Sequence, residues 1–396
     1  MKKILFFAAT AALTLASCSN DETTAVKQAE APQEISFRAL TNNVTRSTAG
    51  PVSMFKNNEV INVWADFYDA SSNSHTKHFQ ADFTKSDETS ETGFYSTPKY
   101  YWPTFDTDDK ITFTAIYGGT QSTSTVGKVE NFSPNTTATD QMDLMVARKE
   151  LTAKVNPVVL NFRHALSQII VKVKNTDANL DFDVTGVRIG YVNTQGEFNY
   201  DYNYNTSTPE TGSDTSTQES SEDASAGNVT SGATLVKSTN WNLTVVTDAK
   251  TNKYDQTFDA VAISGNQAER AITGFNPWLL LPQTQTAATA YTDATQGTAS
   301  ADPTLNGSYI ALELTIYNYA SSTRGSQIVA KQWCYWPCSF TWNPGYKYTY
   351  TVNLAGGGYQ PINCESAATS LNLVLGNVIV FSPYCTVDNW IVSNVQ

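Results

Sequence analysis

The chain has 396 residues and a formal net charge of −12, and only 16% of its residues are charged while 12% are aromatic. The acidic balance and the absence of a Lys/Arg-rich run argue against nucleic acid as a partner. Abundant Tyr, Thr, Ser and Asn favour strands and polar turns over helices, and the length is sufficient for two ordinary domains.

The first 17 residues have the pattern of an export signal. Two lysines precede an apolar stretch at residues 4–15 that is too short to span a bilayer. The following "LASC", which ends at Cys18, resembles the lipobox of bacterial lipoproteins, in which the peptidase cuts before a cysteine that carries lipid. We therefore expect residues 1–17 to be removed and Cys18 to hold acyl chains, the only membrane attachment in the sequence. The alternative is a signal peptide with an unrelated cysteine.

Alternation of apolar and polar residues predicts strands through most of the chain. The segments "ITFTAIY", "QIIVKVKN", "YIALELTIY" and "YKYTYTVNL" each place their apolar side chains on one face. Long helical patterns are nearly absent. The predicted fold class is therefore all-β, most simply two β-sandwich domains in tandem.

The two halves of the chain share a Tyr-Trp-Pro corner that precedes a turn and an alternating strand, with Trp102 in one and Trp336 in the other. This internal repeat suggests two related domains, 47–180 and 181–396, although two unrelated aromatic corners would look the same. In either case we expect both tryptophans to be packed in a core. The Ser/Thr-rich stretch at about 205–232 has almost no apolar residue, which predicts a disordered loop.

No catalytic constellation stands out, and we predict neither an enzyme nor a cofactor or metal site. His75 and His78 lie in a polar stretch without a third ligand. His164 falls at a strand end, where a structural role is expected. The acidic "DTDD" at residues 106–109 lacks the glycine and the distal glutamate of a calcium loop.

Four cysteines follow Cys18 and all lie in the last quarter of the chain: Cys334, Cys338, Cys364 and Cys385. In an exported protein they could form up to two disulfides, with three connectivities open. A zinc site of four thiolates is disfavoured because the last two cysteines are widely spaced.

Several segments occur in an order that has a known counterpart: after the lipobox come "EISFRALTNNVTR", "YYWPTFDTDDKITFTAIY", "DLMVA", "VVLNFRHALSQIIVKVKN", "WNPGYKYTYTVNL" and "VDNW". Together they resemble the fimbrillin family of Bacteroidetes, the pilins and pilus-associated lipoproteins of the type V pilus. The resemblance covers nearly the whole chain except the Ser/Thr-rich stretch. It implies two transthyretin-like β-sandwich domains and assembly into surface fimbriae. The acidic "SNDE" after Cys18 resembles the signal that directs such lipoproteins to the outer face of the outer membrane.

The resemblance also implies how the leader 18–46 is used. Family pilins are cut by an arginine-specific protease after an arginine just past the first strand, and Arg46 followed by Ser47 occupies that position. Cutting there would free the lipid and the leading strand, and would leave an open groove. The apolar residues expected to lie in that groove are Ile35, Phe37 and Leu40. The alternative for Arg46 is an ordinary surface arginine.

The C-terminal stretch is the expected filler of that groove in a neighbouring subunit. Its candidate apolar residues are Val378, Val380, Val387 and Ile391. The alternative is a strand at the edge of its own sheet. A disulfide from Cys385 to Cys334 or Cys338 would tie the final strands to their own domain, whereas one to Cys364 would leave them free to move.

Two functions therefore compete. The first is a structural or adhesive fimbrial subunit, with other subunits and surface ligands of host or bacterium as partners; shaft, tip and anchor positions all stay open. The second is a surface lipoprotein that binds or degrades glycans, using the many aromatic residues as sugar platforms and two carboxylates as acid and base. Aromatic side chains inside the cores favour the first function, and exposed coplanar rings favour the second.

Overall fold

The computed structural model describes residues 32–41, 55–86, 93–200, 236–246, 252–287, 307–356, 358–359, 373–374 and 384–389. Contacts divide the chain into Met1–Gln33 and Glu34–Gln396, and the strands of the described residues lie in the second unit. Within the described residues the regular structure is strand apart from short 3₁₀ turns at Ala138–Asp140, Ser238–Asn240 and Leu354–Gly356, so the all-β prediction is confirmed. In this part of the chain no helix is long and apolar enough to cross a membrane.

Numbered along the chain, the strands are β1 Phe37–Thr41, β2 Val60–Asp69, β3 Ser74–Ser86, β4 Gly93–Tyr95, β5 Lys110–Tyr117, β6 Lys128–Phe132, β7 Met145–Leu151, β8 Val158–His164, β9 Ser167–Lys174, β10 Leu180–Gly190, β11 Gly196–Asn199, β12 Trp241–Leu243, β13 Lys253–Ile263, β14 Arg270–Ala271, β15 Trp278–Leu280, β16 Thr284–Gln285, β17 Tyr309–Ala320, β18 Thr323–Pro337, β19 Phe340–Thr341, β20 Tyr346–Asn353, β21 Gly358–Tyr359, β22 Leu373–Val374 and β23 Tyr384–Asn389.

The first core is enclosed by a closed sheet in the order β1-β4-β3-β2-β5-β7-β8. All of its pairings are antiparallel except that between β1 and β8, which is parallel. Period-two alternation places the apolar residues of each strand inside; in β8, for example, Val158, Leu160 and Phe162 are buried in this core. Trp102 is buried in the same core, as predicted.

The second core lies between two further sheets. One has the order β13-β10-β17-β18-β21-β22, and the other the order β14-β9-β20-β23 with β15 also paired to β9. Trp336 is buried here together with Phe182 and Leu312, so its core placement is confirmed. Strand β9 contributes Ile169 to this second core although it precedes residue 180, and the exact domain boundary stays a prediction.

A smaller cluster of buried residues adjoins the end of the first sheet. It contains Leu144, which precedes β7, and Val146 of β7. These residues pack with Trp241 on β12 and Leu279 on β15. The indole N–H of Trp241 donates to the carbonyl oxygen of Ala165 at 2.9 Å, which fixes the small sheet β12-β11-β6 against the turn between β8 and β9. Residues 205–232 lie outside the described part of the chain.

Candidate functional site: the leading strand and its groove

Strand β1 is the strand that closes the first sheet. On one side it runs parallel to β8, in register from Phe37 opposite Val158 to Thr41 opposite Phe162. On the other side its only register pair with β4 is Phe37 with Phe94. Without β1 the remaining order is β4-β3-β2-β5-β7-β8, so β4 and β8 would become open edges. Open edges carry unpaired backbone groups that bind another strand.

The leading segment places its apolar side chains in the core by simple alternation. Ile35 and Phe37 are both 0% exposed, and Ala39 packs against the same cluster. The Phe37 ring makes edge-to-face contacts with Phe83 at 4.7 Å and with Phe113 at 5.1 Å between centroids. Such paired aromatic contacts add to the stabilisation from burial. The segment therefore completes the core as well as the sheet.

Polar contacts fix the register of the segment at one residue. The backbone N–H and the hydroxyl of Ser36 both donate to Oδ1 of Asn156, at 2.9 and 2.8 Å. The amide of Val158 donates to the carbonyl oxygen of Ser36 at 2.9 Å, and the amide of Ile35 donates to the carbonyl oxygen of Tyr100 at 2.8 Å. Sequence patterns did not reveal Asn156 as a partner, because the Asn-Pro pair indicates only a turn.

We expect Asn156→Ala to lower the free energy of unfolding of the uncleaved protein by about 1–3 kcal/mol. Ser36 is only 7% exposed, so its two donors would lose their acceptor in a place that water reaches poorly. Chemical denaturation measures the change. Asn135→Ala is the matched control, because Asn135 also accepts a backbone N–H but does so in an exposed turn. Equal losses for the two variants would contradict a role for Asn156 in holding the segment.

Several predicted site residues lie wholly outside the described part of the chain: Cys18, Arg46, Ser47, Cys364, Val378, Val380 and Ile391. Leu40 lies in β1 with its backbone opposite Asn161, but its side chain is outside the described residues. The alternation that begins at Ile35 and Phe37 continues at Ala39.

The C-terminal segment is represented by β23, which contains Cys385 and Val387. It pairs antiparallel with β20, with Val387 opposite Tyr348, and among the described strands it lies at the edge of its sheet. This is the intramolecular edge strand that the sequence left open as an alternative. The side chains of β23 are outside the described residues.

Cys334 has a free thiol in the second core, and burial raises its pKa to about 12. Each of the three two-disulfide connectivities would require Cys334 to be bonded, so none of them is present in the structure. Cys338 is buried, and its thiol donates to the carbonyl oxygen of Ser339 at 3.6 Å.

Native protein treated with iodoacetamide at pH 8 is expected to leave Cys334 unmodified, whereas unfolded protein should react fully. A thiol with a pKa near 12 is almost entirely protonated at pH 8, and alkylation requires the thiolate. Peptide mass mapping reads the modification. A Thr323→Cys variant supplies an exposed thiol on the same strand as a positive control. Labelling of Cys334 at the rate of that control, or its recovery as a disulfide, would contradict the expectation.

The candidate metal and acid–base residues make ordinary structural contacts. His75 Nδ1 lies 2.6 Å from Asp66 Oδ2, and burial raises the pKa of Asp66. His78 Nε2 lies 2.8 Å from the carbonyl oxygen of Tyr101. Asp109 accepts the amide of Ala70 at 3.0 Å, and it closes the turn of the acidic "DTDD" by accepting the amide of Asp106 at 2.8 Å. In the described ranges no three His, Cys, Asp or Glu side chains are grouped for a metal ion.

The chain is similar to a known protein family and to solved structures. A model described as fimbrillin-like matches residues 38–369. The crystal structure of a fimbrial protein from Bacteroides vulgatus is 14% identical, with a TM-score of 0.50 over 90% of this chain and 99% of that one. A candidate cell adhesion protein from Bacteroides ovatus is also 14% identical, with a TM-score of 0.38 over 92% and 100% of the two chains. No curated protein matches the sequence.

Proposed function

The chain belongs to the fimbrillin-like family, and from this premise we propose that it is a structural or adhesive subunit of surface fimbriae that assembles by donor-strand exchange. It is a structural protein and not an enzyme. In this proposal it is exported as a lipoprotein with lipid on Cys18 and reaches the outer membrane before processing. Its partners are other fimbrial subunits.

One observation carries the proposal: the strand that closes the first sheet lies immediately before the proposed cleavage site. Strand β1 ends at Thr41, and Arg46 follows five positions later. Cleavage after Arg46 would cut the covalent link between β1 and the rest of the chain. The strand would then be held by noncovalent contacts alone. These are its pairing with β8 and β4, the burial of Ile35 and Phe37, and the hydrogen bonds to Asn156 and Tyr100.

A released β1 leaves a site that another strand can fill. Burial of each large apolar side chain contributes roughly 1.5–3 kcal/mol, and each ladder hydrogen bond roughly 0.5–1.5 kcal/mol. We propose that the C-terminal stretch of a second subunit, which includes Val378, Val380, Val387 and Ile391, is the donor. Among the described strands β23 lies at a sheet edge and pairs with β20 alone, so its release would break one ladder of that part of the chain.

The placement of the tryptophans disfavours the glycan-handling alternative. Of those in the described residues, five are at most 8% exposed and lie inside the cores: Trp102, Trp241, Trp278, Trp336 and Trp342. Buried rings cannot serve as sugar platforms.

Treatment of the purified precursor with an arginine-specific protease is expected to produce a new N-terminus at Ser47 and a ladder of polymers. Arg46→Ala should abolish both. Arg38→Ala is the matched control, because Arg38 lies within the paired strand β1 and its loss should leave cleavage and assembly unchanged. A parent protein that is cut at Arg46 but stays monomeric would refute the assembly proposal.

Mapping of the N-terminus on protein taken from the cell surface separates two roles. A start at Ser47 indicates a processed subunit. An acylated Cys18 indicates an anchor retained in the membrane with β1 in place.

A further inference from the structure

The groove occupied by β1 accepts a definite pattern of side chains. One pocket holds the aliphatic Ile35, and the next holds the ring of Phe37 between Phe83 and Phe113. The third inward position holds the small Ala39. A strand that replaces β1 in the same direction therefore needs an aliphatic residue, then an aromatic residue two positions later, and no large side chain two positions beyond that.

The last forty residues contain this pattern once. After Gly356, an aliphatic residue two positions before an aromatic one occurs only at Ile379 and Phe381. The segment "ISFRA" of the leader thus has a counterpart in "IVFSP". We propose that residues 379–383 of a second copy enter the groove in the register of β1, with Ile379 and Phe381 in the pockets of Ile35 and Phe37.

This inference rests on the proposed function and specifies its donor. It replaces Val378 and Val380 as the pair that faces the groove. In a strand, a shift of one residue turns every side chain to the opposite face. The shifted register would put two valines in the pockets and would expose Phe381 to water.

The polar contacts of the groove are compatible with this register. Val380 would take the position of Ser36 and offer its backbone N–H, but no hydroxyl, to Asn156. Pro383 would take the position of Ala39. Because the only register pair between β1 and β4 is at Phe37, the missing N–H of the proline interrupts no ladder on that side.

Paired serine substitutions test which face of the donor enters the groove. After cleavage at Arg46, Ile379→Ser with Phe381→Ser is expected to lower the yield of polymer by more than about tenfold. Val378→Ser with Val380→Ser should assemble nearly as the parent does. Circular dichroism and gel filtration of the uncleaved variants check that both fold. The reverse result would overturn the proposed register while donor-strand exchange itself survives.

A cross-link tests the position directly. In the structure Val159 lies opposite the outward-facing Arg38, whose place Ser382 would take. Val159→Cys combined with Ser382→Cys should therefore give disulfide-linked multimers on a non-reducing gel after assembly and oxidation, since opposed strand positions have a suitable Cα separation. Each single variant is the control. Polymers without a cross-link would show that another segment fills the groove, and a parent that never polymerises would remove the proposed function and this inference together.

Discussion

Phe37→Ala is expected to lower the free energy of unfolding of the uncleaved protein by about 3–5 kcal/mol. Phe37 is wholly buried and contacts two other rings, and its backbone is fixed between β4 and β8. A closed sheet cannot collapse readily onto the cavity, so the loss should lie near the upper part of the range. The midpoint of denaturant unfolding measures it.

The same substitution should leave the assembled polymer unchanged, because residue 37 departs with the leader when Arg46 is cut. The difference between precursor and polymer is therefore the diagnostic quantity. Arg38→Ala is the control in the precursor, because Arg38 is an exposed neighbour on the same strand and should shift stability by no more than about 0.5 kcal/mol. A polymer destabilised as much as the precursor would mean that β1 stays in place after assembly.

Assembly kinetics give a second readout of Phe37→Ala. Once the chain is cut, β1 dissociates by breaking only noncovalent contacts, and the loss of the aromatic contacts weakens its hold. We therefore expect polymers to appear faster after cleavage of the variant than after cleavage of the parent. A slower appearance would show that departure of β1 does not limit assembly.

Period-two alternation in the sequence predicts the all-β fold class. It also predicts which face of the leading segment is buried. Ile35 and Phe37 share a face for the same reason that Val158 and Phe162 do in β8. The two Tyr-Trp-Pro tryptophans were assignable to cores because large aromatic residues followed by alternating strands are rarely left in solvent. Local pattern was sufficient for each of these predictions.

Long-range pairing could not be read in the same way. The contact between Ser36 and Asn156 joins residues 120 positions apart, and the parallel pairing of β1 with β8 depends on the closure of the whole sheet. The contribution of β9 to the second core likewise depends on its pairing with β20, far along the chain. Alternation shows which face is apolar but does not name the neighbouring strand.

A buried polar pair was another feature hidden from sequence patterns. His164 Nδ1 lies 2.6 Å from Asp143 Oδ2, and the two side chains are 7% and 1% exposed. Both residues lie where β7 begins and β8 ends, beside the cluster that contains Leu144 and Ala165. The sequence indicated a structural role for His164 but gave no sign of its partner.

We expect His164→Ala to lower the free energy of unfolding by about 3–5 kcal/mol, because it leaves the Asp143 carboxylate buried without its imidazole partner. The other oxygen of that carboxylate, Oδ1, already has no hydrogen-bond partner, so it cannot compensate. Urea unfolding measures the change. Lys110→Ala is the control for an ion pair in water: Lys110 and Glu150 are 3.1 Å apart, but their side chains are 44% and 40% exposed.

Removal of the charge separates electrostatics from packing. Asp143→Asn retains the shape and a hydrogen-bonding group next to His164. It should therefore lower the free energy of unfolding by less, about 1–2 kcal/mol. The double variant Asp143→Ala with His164→Ala should cost less than the sum of its single variants, because no unpaired carboxylate remains once both partners are gone. If the losses of unfolding free energy from the two alanine substitutions simply add, the two side chains contribute through packing alone. The contact between β7 and β8 then does not depend on the interaction of Asp143 with His164.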